Sequence, residues 1–439
     1  MIIQNTITNF VSLLDNIMVG QVGTLQMSGV SIANQLIMVF SVCVFGASSS
    51  AGIFTAQFHG SQDTQGIRYT HRYKVWVCVI LSILGIGIFL LGGSPLIRTY
   101  LLGEGSANDA AVALEHGTAY LKIMLIGFIP FAFSNAYAST LRETEQAVVP
   151  MVSGIIAVFV NLILNYVLIF GHFGAPKLGV EGAAIATVIS RFVEMAIVVG
   201  WTHLHPSKNP FVKGLYRSMH IPKALFFTIS KKGMPLLLNE VLWSSGLAIT
   251  NQCLSTCCLD VIPAINISGT IYNLANVTCL AMGNVVGIVM GQMIGSGVAA
   301  ETVRKANRQL LAMVVASGAV FGALLIAFSG RFPLLYNTTD SVRQLATTTI
   351  CISAAIMPFT GYAIGIYYTL RSGGKTFITM LVDGGYVFCV CLPVTWLLCQ
   401  FTPLGIVPIY ALSRGTDILR CVVGEVLLRK STWIQNLTK

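Results

Sequence analysis

Long apolar runs recur from one end of this 439-residue chain to the other. Many of them reach the roughly 20 residues that an α-helix needs to cross a bilayer. Only 10% of the residues are charged, whereas soluble domains carry about 25%. The pattern therefore predicts an all-α polytopic membrane protein and excludes a water-soluble fold. Twelve transmembrane helices are expected at 2–22, 29–56, 76–97, 118–139, 148–170, 179–203, 231–254, 262–290, 309–329, 344–369, 376–399 and 404–427.

The charges between these runs predict how the chain lies in the membrane. The net charge is +10, but the cations are scattered among the loops, which excludes a nucleic-acid-binding protein. Eighteen Lys and Arg fall on one side of the twelve predicted spans, and only four fall on the other. Because cytoplasmic loops carry an excess of Lys and Arg, both termini are expected in the cytoplasm of a multi-pass protein of a bacterial-type plasma membrane.

The two halves of the sequence resemble each other. Gln57 and Gly60 close the second predicted span as Gln292 and Gly295 close the eighth, and a Pro-Phe pair precedes a Leu-Arg pair in both halves. Six spans per half predict parallel repeats, so the spans form two pseudo-symmetric six-helix lobes. We expect an N-terminal lobe over 1–204, a basic cytoplasmic linker over 205–230, and a C-terminal lobe over 231–439 with a short cytoplasmic tail. This organisation favours a transporter, although an old duplication without moving parts would look the same.

A polar row is predicted at the fifth and sixth spans. Asn161 and Asn165 lie four residues apart and share one helix face, and Thr187 lies early in the next span. Hydrocarbon offers these groups no hydrogen bonds, so they need partners inside the protein. They form either a site for an ion or a polar contact that holds two helices together. Gly182, Ala183 and Ala186 predict a close approach of the two helices.

Asp15 is the acid of the first span and the candidate coupling residue of the N-terminal lobe. An acid at mid-membrane costs about 2.5–3.5 kcal/mol, so such residues face a cavity or a partner. Asp15 could exchange a proton, or it could hold Na⁺ together with Asn161 and Asn165, whose oxygens suit a hard cation. The alternative is a structural Asp that only hydrogen bonds to those amides.

The second half carries weaker candidates. Glu240 in the seventh span either functions in coupling or pairs with Lys231 or Lys232, and Asp383 lies beside two glycines in the eleventh. Local ion pairs are expected between Arg191 and Glu194, and between Asp417 and its neighbours Arg414 and Arg420. Tyr362, Tyr367 and Met282 could line a cavity for aromatic cations, although such residues more often pack in a core.

Several segments together resemble the multidrug and toxic compound extrusion (MATE) transporters over nearly the whole chain. They are DNIMVG, QFHG, TLRETEQAVVP and NLILNYVLIFG…GVEGAAIAT. The resemblance implies a V-shaped bundle of two six-helix lobes that exports organic cations in exchange for Na⁺ or H⁺. It places Asp15, Asn161, Asn165 and Thr187 at the ion site of the N-terminal lobe.

The chain departs from that family in its second half. Glu240 lies about one helical turn closer to its proline than the acid of sodium-coupled members does, and residues 356–369 contain no acid. Asp383 is then expected to belong to a polar arrangement that differs from the C-terminal ion site of those members.

A lipid-linked sugar or polysaccharide flippase of the same broad superfamily is the alternative, but such proteins tend to have further helices and a more cationic cavity. An enzyme is not expected, since the sequence has no H-E-x-x-H, no phosphate loop and no Ser/His pairing within a span. The chain is expected to need no cofactor beyond its coupling ion, to meet small organic cations and the lipid bilayer, and to act as a monomer.

Overall fold

The computed structural model describes residues 18–101, 107–255, 261–336, 338–430 and 432–438. These residues are almost entirely helical, and residues 18–20 are helical as well. The helices are α1 Thr24–Gly60, α2 Thr64–Tyr100, α3 Ala107–Ile126, α4 Phe128–Glu143, α5 Val148–Phe170, α6 Val180–Leu204, α7 Lys223–Ser255, α8 Val261–Gly295, α9 Ala300–Phe328, α10 Asp340–Ser372, α11 Thr376–Phe401 and α12 Ile406–Arg429. The predicted all-α membrane fold is confirmed.

Length and apolar composition qualify eight of the described helices as membrane spans, or nine when α3 and α4 are taken as one bent span. The helices α7 and α12 do not qualify. The first carries Asn239, Glu240 and the Asn251–Gln252 pair, and the second carries several charged residues between Arg414 and Arg429. These two helices cover the predicted seventh and twelfth spans. The first predicted span lies outside the described residues except for its last few positions.

Two predicted spans differ from single α-helices. The span predicted at 118–139 is the pair α3 and α4, which meet at a bend of 47° at Gly127. Pro130 lacks the N–H that would reach the carbonyl of Ile126, so the helix breaks there. The span predicted at 376–399 is α11, whose middle is π-helical over Leu381–Gly385 and Val387–Cys391. Such π turns occur frequently at functional sites, and Asp383 lies in the first of them.

The chain divides into two compact units. The first contains residues 3–55 and 63–227, and the second contains residues 56–62 and 228–439, as far as these residues are described. Each unit carries the same cross-helix contact. In the first, His71 Nδ1 and Thr140 Oγ1 lie 2.9 Å apart; in the second, Thr369 Oγ1 donates to Asn307 Oδ1 at 2.7 Å. Both threonines precede the Leu-Arg pair of their half, so the sequence similarity extends to a buried polar contact.

The last turn of α1 packs within the second unit. A Cβ on Gly60 would collide with the carbonyl of Gln292, and one on Gly295 would collide with the carbonyl of Gln57. The two Gln-x-x-Gly segments that mark the repeat therefore lie backbone against backbone, which only residues without a side chain permit.

The segment 432–438 covers this contact. Gln57 is fully buried and donates to the carbonyls of Ser372 and Gln435 at 2.9 and 3.1 Å. The amide of Leu437 donates back to Gln57 Oε1 at 2.7 Å. Trp433 is buried as well, so these last described residues are part of the packed structure.

A buried ion pair joins α2 to α4 in the first unit. Lys74 is fully buried and pairs with Glu143, which is also buried. The ammonium donates in addition to Ser139 Oγ and Thr140 Oγ1, each at 3.1 Å. Ser139 Oγ donates to the other oxygen of Glu143 at 2.7 Å. Three acceptors thus saturate the ammonium, which is the condition under which a buried charge is tolerated.

Candidate functional site: two polar clusters

The structure brings together three of the predicted residues of the N-terminal lobe. Asn161 Nδ2 donates to Thr187 Oγ1 at 3.2 Å, and Asn165 Nδ2 donates to Asn161 Oδ1 at 3.1 Å. Thr187 in turn donates to the carbonyl of Ala183 at 3.0 Å. Asn165 is fully buried, whereas Asn161 and Thr187 are half-buried. The result is a continuous row of amide and hydroxyl oxygens between α5 and α6.

Small residues and a tight turn position this row. A Cβ on Gly182 would lie 2.6 Å from the carbonyl oxygen of Leu168, so α6 begins in backbone contact with the end of α5. Gly171 ends α5 with φ 76°, in the left-handed region that favours glycine. The turn and the small-residue face together hold the Asn face of α5 against Thr187.

Asp15, which the sequence predicts to complete the row, lies outside the described residues. Its role in coupling, and the binding of Na⁺ by Asp15, Asn161 and Asn165, stay predictions. Within the described ranges, no three His, Cys, Asp or Glu residues are grouped as a metal site. The oxygens that the row itself offers an ion are those of the Asn161 and Asn165 amides and the Thr187 hydroxyl.

A second polar cluster joins three helices of the C-terminal unit around Asp383. This carboxylate forms an ion pair with Arg420 of α12 and accepts a hydrogen bond from Asn239 Nδ2 of α7 at 2.8 Å. The amide N–H of Gly384 donates to Asn239 Oδ1, also at 2.8 Å. A Cβ on Gly384 would lie 2.8 Å from Leu242 Cβ, so the glycine beside Asp383 serves the approach of α7.

Arg420 also lies near a second carboxylate. Its Nη1 is 3.9 Å from Asp417 Oδ1, and Asp417 Oδ2 accepts a hydrogen bond from Thr360 of α10 at 2.9 Å. The expected pair of Asp417 with Arg420 is therefore present, although long. The expected pair with Arg414 is wrong, because that guanidinium donates instead to Tyr410 Oη at 3.2 Å. The pair Arg191–Glu194 is confirmed at 3.2 Å.

Glu240 follows Asn239 of this cluster in α7 and is half-buried. The alternative in which it pairs with Lys231 or Lys232 is wrong for the described residues. Lys232 instead donates to the carbonyl of Gly374 at 2.8 Å.

The three residues proposed to line a cavity contribute to packing or to polar contacts. Tyr362 Oη donates to Glu425 at 2.7 Å, and Tyr362 and Met282 pack against the same buried core of the second unit. Tyr367 is buried, and its ring meets that of Tyr368 edge-on at 5.1 Å. A role of these residues in substrate binding stays a prediction.

We expect Asp383→Asn to lower stability without changing the ion dependence of transport. Asn239 and Arg420 already bind the carboxylate of Asp383, so this carboxylate acts as a fixed counter-charge to Arg420. Its loss leaves Arg420 with the distant Asp417, at a cost of about 1–3 kcal/mol. Thermal unfolding of the purified variant measures the loss. The matched control is Asp340→Asn, whose carboxylate is 96% exposed; a changed Na⁺ or pH dependence in Asp383→Asn alone would contradict the assignment.

The helices and the two polar clusters place this chain in the class of multi-span helical membrane proteins with buried polar sites, which is typical of transporters. The family model MatE matches residues 1–167. The chain is 23% identical over 435 residues to the probable multidrug resistance protein NorM of Thermotoga maritima, covering 98% of this chain and 90% of that protein. It is 27% identical over 381 residues to the probable NorM of Chromobacterium violaceum, covering 84% and 78%.

Solved structures agree with these matches. The fold superposes on a crystal structure of a MATE protein in its bent conformation with a TM-score of 0.87 at 17% identity, covering 99% of this chain and 94% of that one. A mutant of the Vibrio cholerae MATE transporter VcmN gives a TM-score of 0.84 at 19% identity, covering 99% and 96%. These matches confirm the resemblance to the MATE transporters that the sequence predicts. Its relatives are transporters and not enzymes.

Proposed function

We propose that this protein exports organic cations, drugs among them, across the cytoplasmic membrane in exchange for Na⁺ or H⁺. The observation that carries the proposal is the row of Asn165, Asn161 and Thr187, a chain of hard oxygen donors buried in a membrane unit. Relatives along nearly the whole chain are named as probable multidrug resistance proteins, which supports drug-like substrates. Both termini are proposed to lie in the cytoplasm, and the protein is proposed to act as a monomer.

In this proposal, the imported cation is cargo that binds at Asp15 and the row beside it. Its charge neutralises Asp15, and the amides of Asn161 and Asn165 reorient to share their oxygens with it. Coupling then requires that the ion and the drug prefer different conformations, because a ligand can only shift an equilibrium by its differential affinity for the two states. Alternating access follows when ion binding favours the state that releases drug outward.

Transport in everted vesicles tests the proposal. Uptake of ethidium is measured under a Na⁺ gradient alone and then under a pH gradient alone, and we expect one of them to drive accumulation. Asn165→Leu should reduce the driven component by about 5–150-fold, the range of typical coupling energies. Asn266→Leu is the matched control, since Asn266 is an exposed asparagine of α8.

Two results would contradict the proposal. One is dye uptake that neither gradient drives. The other is movement of a lipid-linked sugar across the same vesicle membranes without any dye transport, which would favour the flippase.

A further inference from the structure

An arginine without a carboxylate partner lies inside the C-terminal unit. Arg414 is the ninth residue of α12, which places it about 12 Å along the helix from its start at 1.5 Å per residue. Charged residues within the helices of membrane proteins usually face a cavity or a partner and serve a function. Arg414 is half-buried, and among the described residues no carboxylate lies within ion-pairing distance of it.

Two aromatic rings hold this guanidinium in place. The Cζ atom of Arg414 lies 5.2 Å from the ring centroid of Tyr272 on α8 and 5.4 Å from that of Tyr410 on its own helix. Its Nε donates to Tyr410 Oη at 3.2 Å, and Tyr410 Oη is 2.9 Å from Ser353 Oγ. The ring contacts and this hydrogen bond fix the orientation of the guanidinium and use only one of its five N–H groups.

Arg420 lies about two helical turns further along α12, and its guanidinium does have carboxylate partners. It pairs with Asp383 and lies 3.9 Å from Asp417. The terminal nitrogens of Arg414 have no hydrogen-bond partner among the described residues, so their paired N–H groups remain available for an acceptor. A planar fork of this kind binds a carboxylate through two parallel hydrogen bonds, which an ammonium cannot do.

We propose that Arg414, with Tyr272 and Tyr410, forms a binding site for the carboxylate of an aromatic substrate. The guanidinium fork takes the carboxylate, and the two phenol rings flank the adjoining aromatic system. A role of this site in transport rests on the proposed export function. Binding of a carboxylate at the site does not depend on that function.

A matched pair of dyes tests the site. Rhodamine 110 carries a free carboxylate, and rhodamine 123 is its methyl ester, so the two differ only in the group that Arg414 is proposed to bind. Fluorescence anisotropy with the purified full-length protein measures both affinities. We expect Arg414→Gln to weaken rhodamine 110 by about tenfold, or about 1.4 kcal/mol, and to change rhodamine 123 by less than about twofold. Arg414→Lys keeps the charge without the fork and should give an intermediate loss.

The controls separate this site from general effects. Arg429→Gln removes an arginine of the same helix whose side chain is 75% exposed, and both affinities should be unchanged. Equal losses for both dyes, or none for rhodamine 110, would overturn the site. Displacement of rhodamine 110 by low concentrations of phosphatidylglycerol would assign the arginine to a lipid headgroup and overturn it as well. If vesicles transport neither dye while selective binding persists, the proposed function fails and the site stands.

Discussion

Replacing Asp15 by Asn is expected to reduce dye export to the background of cells that lack the transporter. An amide cannot take up a proton, and it offers Na⁺ a neutral oxygen in place of a negative charge, so the ion loses its differential affinity for the two states. The loss should reach about 5–150-fold, the range that coupling energies of 1–3 kcal/mol allow. Ethidium efflux from a pump-deficient bacterium, normalised to the amount of protein in the membrane, measures it.

The matched control for this change is Asp340→Asn. Asp340 begins α10 with an exposed carboxylate and pairs only with Arg343 one turn on, at 3.0 Å. This variant should export at the normal rate. Asp15→Glu, which keeps the charge, should recover part of the activity. Normal efflux in Asp15→Asn would remove Asp15 from the coupling site and leave the row of Asn161, Asn165 and Thr187 as a helix–helix contact.

Removing one member of the Lys74–Glu143 pair is expected to have the largest effect on stability. Glu143→Ala leaves a fully buried ammonium with only two hydroxyls, Ser139 and Thr140, as partners. An uncompensated charge left by breaking a buried pair costs about 3–5 kcal/mol. Thermal unfolding followed by size-exclusion chromatography in detergent should show a large drop in the midpoint or loss of the monodisperse peak.

The double variant Lys74→Met with Glu143→Gln provides the internal comparison. Replacing both charges by groups of similar volume avoids the unpaired charge, and replacing a buried pair in this way is often neutral. The double variant should therefore be more stable than Glu143→Ala alone. A double variant as unstable as the single one would show that the polar contacts to Ser139 and Thr140, rather than charge balance, hold α2 against α4.

Much of the fold could be predicted because membrane burial leaves a simple signal in the sequence. The apolar runs located most of the helices, with α3 and α4 predicted as one span. The spacing of Asn161 and Asn165 predicted a shared face, and the structure shows that face bonded to Thr187. The sequence signal was weakest for helix breaks, which depend on local backbone hydrogen bonding. Pro130 lies at the break between α3 and α4. Pro358, in contrast, lies inside the continuous helix α10, so a proline in the sequence does not by itself predict a break.

The polar cluster of the second unit could be predicted only in part. The spacing of Asp417 and Arg420 predicted their contact, since residues three apart face each other on a helix. The pair of Asp383 with Arg420 joins residues 37 positions apart on different helices, and one sequence contains no signal for that choice. The same limit applies to Arg414, for which spacing favoured Asp417 while the fold supplies Tyr410 and Tyr272.

The burial of the segment after α12 has a practical consequence for anyone who purifies or images this protein. A Cβ on Gly373 would collide with the carbonyl of Trp433, and Asn436 donates to the carbonyl of Ile294 at 3.4 Å. A fluorescent protein or affinity label fused close behind residue 438 would pull on a segment that closes over Gln57. Such labels belong behind a flexible spacer.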